Sequence, residues 1–303
     1  MQKQKDSLGN RMKTYYEEVS KTKLIRRMPV IIRLDGCHFH TFCKGFNKPF
    51  DEIFVESMQE TMKYLCENIQ GCVLGYTQSD EITLVLVDYK NLNSAAWFDY
   101  QVQKMVSVSA SMASMHFNRV FINKVHKFLK PFPDITDDLS VTYIRAIAKG
   151  AFFDARVFNI PVEEVTNCVL FRQLDAERNS ILATGQANFS HKELQNKSCK
   201  DILNMLEEKG IVWGEYPTTL KRGSCCIKKD CYINTHGEYV IDLDDTYTDP
   251  EGCGIYRKFD DKKIGTCGSE NDTLRIRSHW IIDNEIPRFI NEGREYIEKL
   301  IKY

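Results

Sequence analysis

Two acidic turns are the residues best suited to chemistry. Asp35 ends the run PVIIRLDG at residues 29–36, and Asp80 with Glu81 stands in QSDE at residues 78–81. Two carboxylates held side by side repel one another unless a cation lies between them, and hard oxygen ligands suit magnesium. A pair of such ions about 3.5–4 Å apart activates an attacking oxygen and stabilises a leaving phosphate, so the chemistry in view is phosphoryl transfer. The same residues are also ordinary turn formers: Asp-Gly commonly follows a strand, and Ser-Asp-Glu suits a hairpin. Pattern alone leaves both readings open. The choice depends on whether the fold brings the two turns together.

The flanking elements predict that it does. PVIIRLDG reads as a buried strand running into a turn. Pro49 and Asp51 open a helix on which Phe50, Phe54, Met58, Met62 and Leu65 recur at helical spacing. CVLGYT (72–77) and ITLVLV (82–87) are strands separated only by Gln78 to Glu81, which predicts a hairpin. A long helix is predicted over about 95–123, with Phe98, Val102, Met105, Val106, Met112 and Ala113 as one apolar stripe. After a loop carrying Pro131 and Pro133, FFDARVFNI (152–160) reads as a fourth strand. The order β-α-β-β-α-β is that of the ferredoxin-like unit. The expected class is therefore α+β, a palm-like antiparallel sheet with helices on one face. Strands one and three are central neighbours in such a unit, which sets Asp35 beside Asp80 at one edge. Polymerase palms and nucleotide cyclases share that arrangement by fold analogy.

The remaining sequence divides by composition. Residues 1–27 are expected to be an N-terminal helical arm (the helix over 10–27), 28–160 the palm-like catalytic core, and 161–230 a helical part of the same domain. In the last, Ser190 and Glu193 have the spacing of a capping box. Residues 231–303 form a C-terminal extension of irregular strands and loops, closed by a helix over about 286–301 carrying Phe289, Tyr296, Ile297 and Leu300. Trp280 and the final helix are read as completing a core, with an interface as the alternative. The acidic stretch DLDDTYTDPEG (242–252) is not a calcium loop, since it lacks Gly at the sixth position and has Cys253 at the twelfth.

The 303 residues carry 41 Lys and Arg against 42 Asp and Glu, so bulk charge does not announce a nucleic-acid binder and any basic surface must be local. The 11 cysteines include no C-x-x-C pair and read as free thiols of a reducing cytosol. No run is long and apolar enough to cross a membrane, and the charged N-terminal stretch is not that of a signal peptide.

Several motifs in order carry a family resemblance. PVIIRLDGCHFHTFCKGFNKPFDE, YTQSDEITLVLV, FFDARVFNIP, FRQLDAERNSI and KRGSCC together resemble the tRNA-His guanylyltransferase family of 3′–5′ polymerases, over about residues 7–230. The resemblance implies that Asp35 and Asp80 are the ligands of two Mg²⁺ ions, with the Gly36 carbonyl as a further ligand and Glu81 as a neighbouring acidic residue supporting the site. It implies a nucleotide loop of Asp35, Gly36, Cys37, His38, Phe39 and His40, with Ser79 beside Asp80, and with Lys48 and Lys104 near the triphosphate of ATP or GTP. His38 and His40 have the i, i+2 spacing that shares a face in extended chain, and nucleotide packing suits them better than binding of a hard ion. Arg156, Arg172, Gln173, Asn179, Lys221 and Arg222 are the expected tRNA contacts, with Lys124, Lys127 and Lys130 as weaker ones. A homotetramer in the cytoplasm is implied as well.

The motif after Gln173 separates branches of the family. Members dedicated to tRNA-His carry His-Ile-Asn-Asn there, whereas this chain has Glu177, Arg178, Asn179 and Ser180. The sequence resembles the like-protein branch, which implies template-dependent 3′–5′ addition that repairs tRNA 5′ ends after activation by ATP or GTP. Guanylate addition to tRNA-His is the alternative within the family. A catalytically silent tRNA- or nucleotide-binding module and a nucleotide cyclase are the alternatives outside it. The first would bind nucleotide without turnover, and the second would need no RNA.

Overall fold

The computed structural model describes residues 7–130, 137–233, 239–242 and 275–302. They fall into two compact units, Met1–Cys226 with Ile282–Tyr303, and Ile227–Ile281. The last residues, from Ile282, belong to the first unit.

The arm is helical only at its start. Ser7 caps α1 (Leu8–Met12) by accepting from the Asn10 N–H, and a π turn, Lys13–Glu17, follows. The helix expected over 10–27 stops there because residues 22–24 find tertiary backbone partners instead: Leu24 N–H donates to the Tyr100 carbonyl and Val102 N–H to that of Thr22, at 3.0 and 2.9 Å.

The sheet follows. In β1 (Val30–Gly36), Val30, Ile31, Ile32 and Leu34 are wholly buried. A short helix α2 (Phe39–Phe42) leads to α3 (Glu52–Asn68), whose N-terminus Asp51 caps by accepting from Phe54 N–H, and which buries Met58, Met62 and Leu65 as the spacing predicts. β2 (Cys72–Gln78) and β3 (Glu81–Leu86) form the expected hairpin, its two-residue loop needing Ser79 at φ 49°. The long helix starts later than 95. Trp97–Tyr100 form a separate 3₁₀ turn in which Phe98, Asp99 and Tyr100 have positive φ, and α4 runs Val102–Leu129. Phe98 is therefore outside the stripe, and Ala113, Phe117, Phe121 and Val125 carry it. α5 (Asp138–Lys149), capped by Asp137, was not expected; it buries Tyr143 and Ala146 ahead of β4 (Phe153–Asn159). Pro131 and Pro133 lie outside the described residues.

In the first unit the strands run β4-β1-β3-β2, each antiparallel to the next. Helices cover both faces, not one. A side chain at Gly75 of β2 would strike Met62 and Cys66 of α3. Its neighbour Tyr76 points the other way, donating to the Arg222 carbonyl at 2.7 Å and meeting Phe289 edge-on. On that second side lies α6 (Val162–Asn188), followed by α7 (His191–Leu194), with the expected capping box, and α8 (Cys199–Glu208). α9 (Thr218–Arg222) leads into β5 (Ser224–Ile233), whose first residues pair with Gly75, Tyr76 and Thr77 of β2.

In the second unit the later part of β5 pairs with β6 (Tyr239–Asp242) and with β7 (Arg275–Asp283), and Trp280 is buried beneath Lys228. The acidic stretch beyond residue 242 lies outside the described residues. The final helix is shorter than the spacing predicts: after a 3₁₀ turn at Asn291–Arg294, α10 spans Glu295–Ile301. Phe289 precedes it, completely buried, its N–H held at 3.0 Å by the Gln173 side chain. That bond gives the Phe289 N–H a side-chain partner on α6 in place of a helical carbonyl.

Candidate active site

The sheet brings the two acidic turns together. Asp35 stands directly across from Glu81 in the β1–β3 ladder, and Gly36 N–H donates to the Asp80 carbonyl at 3.0 Å. Both aspartate pKa values are raised. Burial is the main cause for Asp35, with the charges of Glu81 and Asp154 adding to it and Arg33 and Arg156 opposing it. Burial also leads for Asp80, with Asp35 and Glu81 adding to it and hydrogen bonds from its own backbone and Ser79 opposing. Two carboxylates whose pKa values rise together bring like charges to one edge of the sheet; among the described residues no group of three or more His, Cys, Asp or Glu side chains is placed to hold a metal ion.

Glu81 is differently engaged. Arg33 donates to one of its oxygens at 2.7 Å, and Arg172 and Gln78 donate to the other. Its lone pairs are largely committed to these cations and this amide, so it positions the site's neighbours instead of completing the ligand set. Arg172 is 7% exposed and also bonds Asp175. Gln173 is fully buried, serving the backbone of Pro287 and Phe289. Arg222 lies 3.6 Å from Glu177, and Lys221 donates to the Gly214 carbonyl beside Trp213. Lys124 is tied to Glu56 and Glu60 at 2.6 and 2.8 Å. Each of these expected RNA contacts has a partner within the fold. Arg156 differs: it is 59% exposed, on β4, with its guanidinium 3.9 Å from Asp35 and 3.8 Å from Asp154. Lys127 and Lys130 are exposed at the end of α4.

The loop after Asp35 is shaped by packing. Phe39 sits in an aromatic cluster with Phe42, Phe54, Phe117 and Phe153, all at 5.1–5.9 Å between ring centroids. A Cβ on Gly36 would lie 2.4 Å from that ring. With four rings holding Phe39 in place, Gly36→Ala is expected to destabilise the fold by about 1–3 kcal/mol. It is also expected to disturb the Gly36–Asp80 bond; urea unfolding and an activity assay on the same preparation check both effects. His38 has φ 58° and is exposed just ahead of α2, and His40 lies within that helix, so the two histidines do not share one face of a strand. His40 is exposed, its ring 2.9 Å from the Thr41 hydroxyl. Burial raises the Cys37 thiol pKa, as do Asp154 and Asp35, so it is not an activated nucleophile.

Beside the acidic turns opens a cleft of about 460 Å³. Ser79 and Asp80 form part of its rim, with His40, Lys48 and Asn179 also lining it. Phe50, Phe54, Val55 and Met58 supply an apolar wall, and Asp51 and Gln59 bring polar atoms. Lys104 is not among the lining residues; its ammonium lies 5.9 Å from the Phe98 ring. The sequence reading missed Arg33, Asp51, Gln59 and Asp154. Period-two alternation about Asp35 places Arg33 on its face of β1, and the ladder sets Asp154 opposite Asp35.

The model of the family described as Thg1: tRNAHis guanylyltransferase matches residues 9–161. The chain belongs to the tRNA-His guanylyltransferase family. Membership makes it a nucleotidyltransferase. An uncharacterized protein of Acanthamoeba polyphaga mimivirus is 28% identical over 230 residues, 72% of this chain and 76% of that protein. The tRNA(His) guanylyltransferase 2 of Arabidopsis thaliana is 26% identical over 198 residues, 64% of this chain and 35% of that protein. A solved structure of a bacterial tRNA(His) guanylyltransferase (Thg1)-like protein in complex with ATP is 36% identical and has a TM-score of 0.70, covering 98% of this chain and 99% of that one. A bacterial Thg1-like protein in complex with GTP is 34% identical with a TM-score of 0.64, covering 98% of this chain and 100% of that one. Among the described residues no helix is long and apolar enough to cross a membrane.

Proposed function

We propose that this protein adds nucleotides in the 3′–5′ direction to the 5′ end of tRNA, directed by the opposite strand, and so repairs truncated 5′ ends. The observation that carries the reading is the meeting of Asp35 and Asp80, bridged by the Gly36–Asp80 hydrogen bond, at the edge of a nucleotide-sized cleft. The sheet order β4-β1-β3-β2 supports a palm-like core. A 5′ monophosphate is first activated by transfer of an adenylyl or guanylyl group from ATP or GTP, with pyrophosphate released. The 3′-hydroxyl of the incoming nucleotide then attacks the activated 5′ phosphate, displacing AMP or GMP and giving up its proton.

Asp35, Asp80 and the Gly36 carbonyl would hold Mg²⁺, which when bound lowers the pKa of an attacking hydroxyl and neutralises triphosphate charge. Ser79, His40 and Lys48 line the cleft and are assigned to nucleotide. His38 and Lys104, both exposed, are assigned to the outer part of the nucleotide or to the 5′ end. Arg156 is the group best placed to meet the 5′ phosphate of RNA beside Asp35, and Asn179, on the cleft rim, to meet a nucleotide or the RNA end. These contacts orient and neutralise, which is most of what phosphoryl transfer asks of side chains.

Glu177 supports the repair reading over dedicated guanylate addition to tRNA-His. It stands where the tRNA-His enzymes carry the first histidine of their motif, is buried, and is gripped by Arg288 and Arg222. A side chain so held does not read an RNA. A cytoplasmic homotetramer belongs to the same proposal, and Phe171 and Leu174, 60% and 51% exposed on α6, are apolar surface that assembly would cover.

The experiment is incubation of a tRNA lacking its first nucleotide with NTPs and Mg²⁺. A 5′-extended product whose added base follows the template is the expected result. Absence of extension by folded protein would remove the reading, and cyclic nucleotide released from NTP alone would replace it.

A further inference from the structure

The cleft contains a polar relay that the reaction above leaves without a role. Gln59, on α3, is 8% exposed and lines the cleft. Its side-chain nitrogen lies 2.7 Å from the Ser224 hydroxyl, 2.8 Å from the Asn284 side-chain oxygen and 3.0 Å from the Thr219 hydroxyl. A primary amide has two N–H bonds, so three acceptors are one more than it can serve. The Ser224 and Thr219 hydroxyls lie 2.7 Å apart, and either can donate to the other. Among the described residues nothing donates to the Gln59 carbonyl oxygen, although Val55 and Met58 make the adjoining wall apolar.

Hydroxyls accept and donate equally well, and Asn284 is exposed and free to turn its own amide. The relay therefore closes with the Gln59 amide either way round. In one sense its nitrogen serves the hydroxyls and its oxygen is left for the cleft. In the other the hydroxyls donate to the oxygen, and the nitrogen is left for the cleft. What reverses is the hydrogen-bonding character shown to a ligand. A backbone carbonyl or a carboxylate, which only accepts, would fix the amide; the neighbours here are two hydroxyls and a second amide.

We propose that Gln59 is a specificity-determining residue of the nucleotide pocket. It accepts from the 6-amino group of adenine and, with its amide reversed, donates to the 6-oxo group of guanine or hypoxanthine. Ser224, Thr219 and Asn284 make the reversal possible. The proposal rests on the reading of the cleft as the nucleotide site and deepens it. One pocket takes both kinds of purine triphosphate because its reader has no fixed polarity.

The test is equilibrium binding of ATP, ITP and purine riboside triphosphate to the full-length protein and to Gln59→Glu. The wild-type protein is expected to bind ATP and ITP within about threefold of each other, and purine riboside triphosphate, which lacks a 6-substituent, about tenfold more weakly. Gln59→Glu, with only acceptors to offer, is expected to keep ATP and to lose ITP by about tenfold or more. Equal binding of all three nucleotides by the wild-type protein overturns the proposal, as does a folded Gln59→Glu protein that does not discriminate ATP from ITP. The wild-type comparison decides by itself if the variant does not fold. Failure of the wild-type protein to bind any of the three removes the nucleotide-site reading itself, a result distinct from binding without discrimination.

Discussion

Replacing Asp80 by asparagine is expected to lower 5′ extension of a truncated tRNA by about a thousandfold or more, roughly 4 kcal/mol of transition-state stabilisation. The same change is expected to raise the melting temperature by about 2–4 °C in metal-free buffer near neutral pH. The two effects have one cause. Burial holds the Asp80 pKa above its unfolded value, and Asp35 and Glu81 push it further. The native state therefore keeps that proton to higher pH than the unfolded chain does. As pH rises from the unfolded pKa through the folded one, the unfolded state gains the advantage, and stability falls. Near neutrality the charged carboxylate strains the fold, and asparagine relieves that strain while keeping the shape. Asp35→Asn should cost as much activity but gain less stability, because Arg33 and Arg156 already offset part of its charge. Magnesium should raise the melting temperature of the wild-type protein and leave that of Asp80→Asn nearly unchanged, since a ligand stabilises only the state that binds it. Calorimetry with and without Mg²⁺, beside the extension assay, checks all of this. An Asp80→Asn protein that retains more than about a tenth of wild-type activity would move the metal site elsewhere.

The parts of this molecule legible in its sequence are those set by short-range pattern. The β-branched run before Asp35 and the four-residue gap from Gln78 to Glu81 announce two strands and a hairpin, and the ladder pairs Asp35 with Glu81 as that order predicts. What was not legible depends on partners far along the chain. The arm looks helical over 10–27 until residues 22–24 meet 100–102. Helix α5 hides in DLSVTYIRAIAK, whose Thr, Tyr and Ile dilute the helical signal after two prolines, although Asp137 caps it. The helices after residue 161 were legible as helices, but not their place on the second face of the sheet, because the polar side chains there, Arg33 and Glu81, read as the solvent face of strands. Arg172 and Gln173 entered as RNA contacts through the family resemblance, and their burial was not legible. Arginine is ordinarily exposed, and the carboxylate that buries this one lies 91 residues away.

Arg172→Met is accordingly expected to destabilise the protein by about 3–5 kcal/mol, a loss typical of breaking a buried ion pair, and not to act as a simple loss of RNA affinity. The Arg172 side chain is 7% exposed, Glu81 14% and Arg33 23%, so the three charges share a site with little water to screen them. Removing Arg172 leaves Glu81 with Arg33 and Gln78 alone and strands Asp175 without its close cation. Glu81→Met should be damaging as well, since it leaves two arginines facing each other. The double variant Glu81→Met with Arg172→Met should recover part of the loss, because the charge left unpaired is what makes each single change severe. Urea unfolding of the four proteins measures the coupling directly. A surface RNA contact would behave in the opposite way: stability within about 0.5 kcal/mol of wild type, weaker tRNA binding, and a shallower dependence of binding on salt. Near-zero coupling between the two residues would return Arg172 to the list of RNA ligands. Strong coupling makes Glu81 the keystone between the catalytic edge and α6, and explains how an acidic residue beside Asp80 can be required without touching metal or nucleotide.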